Sequence, residues 1–241
     1  MPSTRPAPRA APRELTQKAG AWVDLGLTLP LFLGYHLGVV FLDVRNASDL
    51  VTGEILRLTA GSLPKYLALT LAIGAVFAGA FIRLGRGQAF RPAKFVQIAL
   101  EAVVYAAALR LVGSYVVGHL FGGRVTEGGF SGLVMSLGAG FYEELSYRVV
   151  LFAGAGKLLS LVLPRTASGA GRLALGGAWA LACAGVFSAM HYVGPLGDDF
   201  QLQSFTFRWV LGLMLTLVFW ARGFAAAAWT HALYDAWVLV L

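Results

Sequence analysis

The sequence has 241 residues, of which 58% are hydrophobic and 13% charged, and its mean hydropathy is +0.71. Soluble domains carry about a quarter charged residues, so this composition excludes an ordinary soluble domain and indicates an integral membrane protein. The net charge of +7 would also suit a nucleic-acid-binding protein. However, the basic residues lie in short runs between apolar segments, as in the cytoplasmic loops of membrane proteins, so nucleic-acid binding is not expected.

The chain begins with a basic, Pro- and Ala-rich stretch, residues 1–20, which predicts a disordered tail. A cleaved signal peptide does not fit, because the apolar run that follows is long and contains Asp24, whereas an organellar transit peptide stays open. A bilayer core of roughly 30 Å needs about 20 mostly apolar residues per helix. Residues 21–241 therefore predict one all-α transmembrane domain of about seven helices: 21–42, 66–82, 95–120, 131–153, 173–191, 205–220 and 223–241. Residues 48–58, with Ser48 as a candidate N-cap, predict a short surface helix.

The basic residues between these segments predict the orientation of the chain. With the N-terminus inside, the inner segments hold Arg5, Arg9, Arg13, Lys18, Arg83, Arg86, Arg91, Lys94, Lys157, Arg165, Arg172 and Arg222. The outer loops hold Arg45, Arg57, Lys65 and Arg124. Because cytoplasmic loops carry an excess of Lys and Arg, this bias predicts a cytoplasmic N-terminus and an outer C-terminus.

The fourth segment, 131–153, contains three ionisable side chains: Glu143, Glu144 and Arg148. An ionisable group at the centre of a bilayer costs about 3 kcal/mol, so each one needs a reason. Glu144 and Arg148 have i, i+4 spacing and can pair on one helix face. Glu143 lies about 100° away around an α-helix, so it points elsewhere and needs another partner. The pair can then serve to position Glu143.

Two histidines on later segments are candidate partners. His191 ends the fifth segment, and His231 lies in the last segment with Asp235 at i+4. At this spacing the Asp235 carboxylate can hold the His231 imidazole in one tautomer and orientation. A carboxylate and two histidines from three helices suit a general base that takes a proton from water.

These residues form three motifs in chain order: E-E-x-x-x-R at 143–148, F-x-x-x-H at 187–191 and H-x-x-x-D at 231–235. The order resembles the CPBP family of CAAX proteases and bacteriocin-processing enzymes, which includes the type II CAAX prenyl endopeptidases. The resemblance covers about residues 141–237, and the motif region as a whole is 131–241. It implies an intramembrane endopeptidase.

The resemblance also implies a role for each position. Glu143 would be the general base, and His191 its partner in activating water. His231 and Asp235 would lie where the family stabilises the oxyanion. The family often has Asn at the last position, and an ionised Asp235 cannot donate a hydrogen bond as that amide can. Asp235 therefore either orients His231 or is itself protonated.

The substrates implied by the resemblance are membrane-associated proteins or peptides, cut at a CAAX-type or C-terminal sorting signal. Some bacterial members that this chain resembles, the myxosortases, process C-terminal anchor signals outside the cytoplasmic membrane. We therefore expect the bacterial cytoplasmic membrane as the location, the bilayer and a peptide tail as partners, and no cofactor.

Three alternatives follow from the same residues. Glu143, His191 and His231 could be the ligands of a zinc ion with an open fourth position. They could instead form the relay of a proton-coupled transporter, although inverted repeats and broken helices are not evident. A non-catalytic family member that acts in immunity or as a scaffold is the third alternative.

Five further polar residues lie in or near apolar segments without a motif. His36 and His119 are predicted to be interfacial or packing residues, whereas Asp24, Glu101 and Arg110 could pair with one another or with lipid headgroups. In straight α-helices Glu143 and His231 would lie roughly 18 Å and 15 Å below the outer surface, but His191 only about 5 Å. These residues can meet only if the fifth helix is tilted, continues past Tyr192 or enters the membrane unevenly.

Overall fold

The structure is a computed structural model that describes residues 18–42, 44–120, 130–162, 169–194 and 197–240. Most of the predicted basic tail and the side chain of His119 lie outside the described residues. Within them every regular element is helical, which confirms the all-α prediction.

Eight helices follow one another in the described residues: α1 Ala21–Leu42, α2 Leu50–Thr59, α3 Leu63–Leu84, α4 Pro92–Leu120, α5 130–162, α6 Gly169–Met190, α7 Leu202–Arg222 and α8 Phe224–Leu239. By length and composition α1, α3, α4, α6 and α7 can each cross a membrane. The other two predicted spans are α5, which carries the charged motif residues, and α8, which has 16 residues. The chain is thus an integral membrane protein, and the predicted segment boundaries differ from the helix ends by a few residues at most sites.

Helix α5 is irregular. It is α-helical at Phe130–Gly138, π-helical at Ala139–Ala155 and α-helical again at Gly156–Val162. A π-helix closes its hydrogen bonds over five residues instead of four, so it is wider and advances less per residue. We predicted the angle between Glu143 and Glu144, and the depth of Glu143, for an α-helix. That assumption is wrong, because both residues lie in the π-helical part.

The short helix α2 begins one residue later than predicted. Asp49, not Ser48, is its N-cap, because the Asp49 carboxylate accepts the backbone N–H groups of Val51 (3.0 Å) and Thr52 (2.8 Å). An ionised acceptor satisfies these free donors and also interacts favourably with the positive end of the helix. The helix ends at its C-cap, Ala60, which adopts a left-handed φ of 49°. Gly61 follows with a φ of 72°, a conformation that glycine accepts without strain.

Helix α8 lies at the centre of the bundle. It packs against α1, α4, α5 and α7, and its four consecutive alanines at 225–228 are fully buried. Small side chains allow helix backbones to approach closely within a membrane. On the outside, large apolar residues such as Phe41, Leu111 and Leu173 are exposed, as expected of a surface that faces lipid.

Two polar contacts tie distant helices together. The Asp24 carboxylate of α1 accepts the backbone N–H of Ala225 (2.8 Å) and so caps the first turn of α8. In the second contact, Glu101 of α4 forms a bidentate ion pair with Arg222 of α7, at 2.6 and 2.7 Å. Asp24 and Glu101 therefore have partners on other helices and do not pair with each other, which was one of the two alternatives named for them.

Candidate active site

The carboxylate of Glu143 is buried in the π-helical part of α5, and its two oxygens face different partners. Oε1 accepts a hydrogen bond from Nδ2 of Asn46 at 2.8 Å. Oε2 lies 3.8 Å from Nε2 of His191 and 3.9 Å from Nε2 of His231. These two distances exceed a direct hydrogen bond and are in the range in which a water molecule can mediate the contact. The structure thus brings together the carboxylate and both histidines of the motif series.

His191 is the first residue after α6, and its ring is fixed from one side. Nδ1 donates to the backbone carbonyl of Phe187 at 2.8 Å, because a carbonyl oxygen can only accept. The neutral imidazole therefore keeps its lone pair on Nε2, the nitrogen that faces Glu143. A quarter of the His191 side chain is exposed, so the ring lies at the edge of the buried site.

His231 is held by Glu144. The His231 Nδ1 lies 2.7 Å from Oε1 of Glu144, and the same oxygen lies 3.0 Å from the guanidinium of Arg148. Because Glu144 is paired with Arg148, it is an acceptor and His231 Nδ1 is the donor. The second ring nitrogen, Nε2, then points towards Glu143.

Arg148 connects three helices. Its side chain is 1% exposed, and it contacts Glu144 on its own helix, as the i, i+4 spacing predicts. It also donates to the carbonyl of Gly212 on α7 at 3.1 Å and lies over the ring of Phe187 on α6, 4.3 Å from the centroid. The pair is therefore not isolated, because it links α5 to α6, α7 and His231.

The predicted i, i+4 contact between Asp235 and His231 is present, but it is longer than the contact that Glu144 makes. Asp235 lies 3.6 Å from His231 Nε2, the nitrogen that also faces Glu143, whereas Glu144 makes the short contact with Nδ1. The Asp235 side chain is 22% exposed, while that of Glu144 is fully buried. The spacing in the sequence indicated Asp235, one turn further along α8, as the partner of His231. The shortest contact instead comes from Glu144 on α5.

Gly140 explains how α5 and α8 come close enough for this contact. A Cβ atom at Gly140 would lie 2.5 Å from the carbonyl oxygen of Ala228 and 2.7 Å from Cβ of Ala232. Real Cβ atoms do not approach a backbone oxygen this closely, so only glycine fits here. The missing side chain lets Glu144, one turn further along α5, reach His231.

Asn46 is a site residue that the motif analysis missed. It lies between α1 and α2, 97 positions away from Glu143 in the sequence. It is the only asparagine of the chain, and this is the one feature of the sequence that could have drawn attention to it as a site residue.

His36 is also more closely involved than expected. It is 1% exposed, so of the two predicted alternatives it is a packing residue and not an interfacial one. Its ring nitrogens contact the hydroxyls of Tyr66 (2.7 Å) and Tyr142 (2.6 Å), and Tyr142 precedes Glu143. His36 therefore supports the backbone next to the candidate base.

Among the described residues no group of three or more His, Cys, Asp or Glu side chains has an arrangement that could hold a metal ion. The neutral Nε2 of His191 and the Oε2 oxygen of Glu143 face a common region, and together they can bind and deprotonate a water molecule.

Comparison with protein families supports the same region. Residues 127–237 match the family described as Rce1-like, type II CAAX prenyl endopeptidase Rce1-like. All six candidate residues of the motif series lie within the match: Glu143, Glu144, Arg148, His191, His231 and Asp235. Comparisons with curated proteins and with solved structures gave no match. The resemblance seen in the motifs is thereby confirmed at the level of the family, and the myxosortase subgroup stays a prediction.

Proposed function

We propose that the chain is a membrane protease with Glu143 as its general base, because residues 127–237 match the family of the type II CAAX prenyl endopeptidases. In this proposal a water molecule is bound by Glu143 Oε2 and His191 Nε2. The observation that carries the proposal is that the two carboxylate oxygens of Glu143 have different partners. Asn46 binds Oε1, and Oε2 faces both histidines at 3.8 and 3.9 Å.

The reaction follows from these positions. Glu143 takes a proton from the water while the water oxygen attacks the carbonyl carbon of the scissile peptide bond. The carbonyl oxygen becomes an oxyanion, to which His231, protonated at Nε2, donates a hydrogen bond. When the C–N bond breaks, Glu143 returns its proton to the departing amine. Glu144 keeps the His231 ring in place throughout, because it binds the other ring nitrogen.

The substrate we propose is the tail of a membrane-associated protein or peptide, cut at a CAAX-type or C-terminal sorting signal. The site suits such a substrate because it lies near one end of the bundle. Asn46 follows the end of α1 and His191 follows the end of α6. With seven spans, these two ends are on the same side of the membrane, opposite to residue 18. A scissile bond can therefore enter from that surface or from the surrounding lipid.

The orientation that we propose has the N-terminus in the cytoplasm, so that cleavage takes place at the outer side of a bacterial cytoplasmic membrane. It rests on the excess of Lys and Arg in the segments assigned to the inside. Reporter fusions at Gly87 and Gly169 should give an inside signal, and a fusion at Leu241 an outside signal. An outside signal at Gly87 would overturn the orientation.

The second expectation concerns the metal. If Glu143 activates water directly, the purified protein in lipid vesicles should cleave a membrane-anchored peptide equally well before and after treatment with EDTA. Elemental analysis of the same sample should find no stoichiometric metal. Activity that is lost with EDTA and restored by zinc would instead make Glu143, His191 and His231 zinc ligands. Proton-coupled transport without any cleavage would favour the transporter alternative.

A further inference from the structure

The loop between α1 and α2, residues 44–49, forms a buried polar network that ends on Glu143. Tyr35 of α1, Asn46 and Asp49 are all at most 5% exposed. This network lies outside the segment that matches the protease family, residues 127–237. Buried polar groups are costly unless they are fully hydrogen-bonded, so a network of this kind indicates a specific role.

The network leaves the Asn46 side chain one orientation. Its Oδ1 accepts the backbone N–H of Ser48 at 2.8 Å, so the opposite end of the amide, Nδ2, is the donor to Glu143. Its own backbone N–H donates to the Tyr35 hydroxyl at 2.9 Å.

The same hydroxyl connects Asn46 to the start of α2. Tyr35 donates its hydroxyl hydrogen to Oδ2 of Asp49 at 2.8 Å, while Oδ1 of Asp49 caps α2. The helix cap and the loop therefore fix the amide together.

We propose that Asn46 is a positioning residue for catalysis: it holds Oε1 of Glu143 so that Oε2 faces His191 and His231. The inference rests on the proposed function of Glu143. A glutamate side chain has several rotatable bonds, and a carboxylate that is free to turn would spend less time in the reactive geometry. A misplacement of about 1 Å can cost a hundredfold in rate, so the amide contributes to the chemical step without touching the substrate.

The kinetic test compares Asn46→Ala and Asn46→Asp with the wild-type protein in lipid vesicles. For Asn46→Ala we expect kcat to fall by about tenfold to a hundredfold with little change in KM, because the lost contact is to Glu143. Asn46→Asp keeps the size of the side chain but places a second carboxylate against Glu143. Its activity should be low at neutral pH, and the acid limb of its pH–rate profile should lie at higher pH than in the wild type.

A matched control is Glu54→Gln, which removes an exposed carboxylate of α2 that pairs with Arg57, and which should leave the kinetics unchanged. A merely structural role for Asn46 would lower the amount of folded protein and leave the pH profile of the remainder in place. If Glu143→Gln abolishes cleavage while both Asn46 variants keep the wild-type kcat and pH profile, the inference fails and the proposed function stands. If the Glu143→Gln protein still cleaves its substrate, the proposed function itself is overturned.

A measurement without activity covers the case in which the Asn46 variants do not fold. Because Asn46 is the only asparagine, protein labelled with ¹⁵N-asparagine gives one side-chain amide signal pair. Glu143→Gln should shift this pair clearly, since it removes the charge of the acceptor 2.8 Å away. Glu54→Gln is again the control. Equal spectra of the two variants would overturn the contact and the inference with it.

Discussion

Glu143→Gln is expected to lower the rate of peptide cleavage by about a hundredfold or more, with the protein still folded and inserted in the membrane. The glutamine side chain has nearly the same shape and can still accept the hydrogen bond from Asn46, but it cannot take a proton from water. The loss should therefore appear in kcat, measured in lipid vesicles with a membrane-anchored peptide. His191→Ala should be similarly damaging, because it removes the second group that binds the water.

The control for this experiment must be a residue away from the network. His36 is unsuitable, since it is buried against Tyr142, the neighbour of Glu143. Glu54→Gln makes the same chemical change on the exposed side of α2 and should cleave at the wild-type rate. A well-folded Glu143→Gln protein that still cuts its substrate would contradict the mechanism. No cleavage by any variant or by the wild type would favour the transporter or the scaffold alternative.

The parts of the fold that could be predicted are those governed by local rules. The thickness of a bilayer sets the length of an apolar helix, so seven segments could be located to within a few residues at most of their ends. The Glu144–Arg148 pair was predictable because i, i+4 neighbours share a helix face. The three motifs were recognisable because each one lies on a single helix or at its end.

The parts that could not be predicted depend on contacts between distant residues. Asn46 reaches Glu143 across 97 positions, and a loop sequence contains no information about which helix it will touch. The π-helical turns of α5 change both the depth and the direction of the Glu143 side chain, and no residue pattern predicted these turns. His231 was assigned to Asp235 on its own helix, whereas its closest carboxylate, Glu144, comes from α5 by way of the close approach at Gly140.

Glu144→Gln should differ from Glu143→Gln in that it lowers both activity and stability. Glu144 and Arg148 are 0% and 1% exposed, so the substitution leaves a buried guanidinium without its charged partner. Breaking a buried ion pair on one side typically costs about 3–5 kcal/mol, because the remaining charge stays desolvated. We expect a clear fall in the midpoint of thermal unfolding in detergent, whereas Glu143→Gln should unfold close to the wild type.

The double variant Glu144→Gln/Arg148→Met separates the two effects. Removing both charges abolishes the uncompensated guanidinium, and buried ion pairs can often be replaced by apolar residues without loss of stability. Its unfolding midpoint should therefore recover most of the loss. Its activity should not recover, because a neutral glutamine holds the His231 imidazolium less strongly than a carboxylate at 2.7 Å. Unchanged stability of the single variant would mean that the pair contributes little, and a fully active double variant would mean that Glu144 is dispensable for His231.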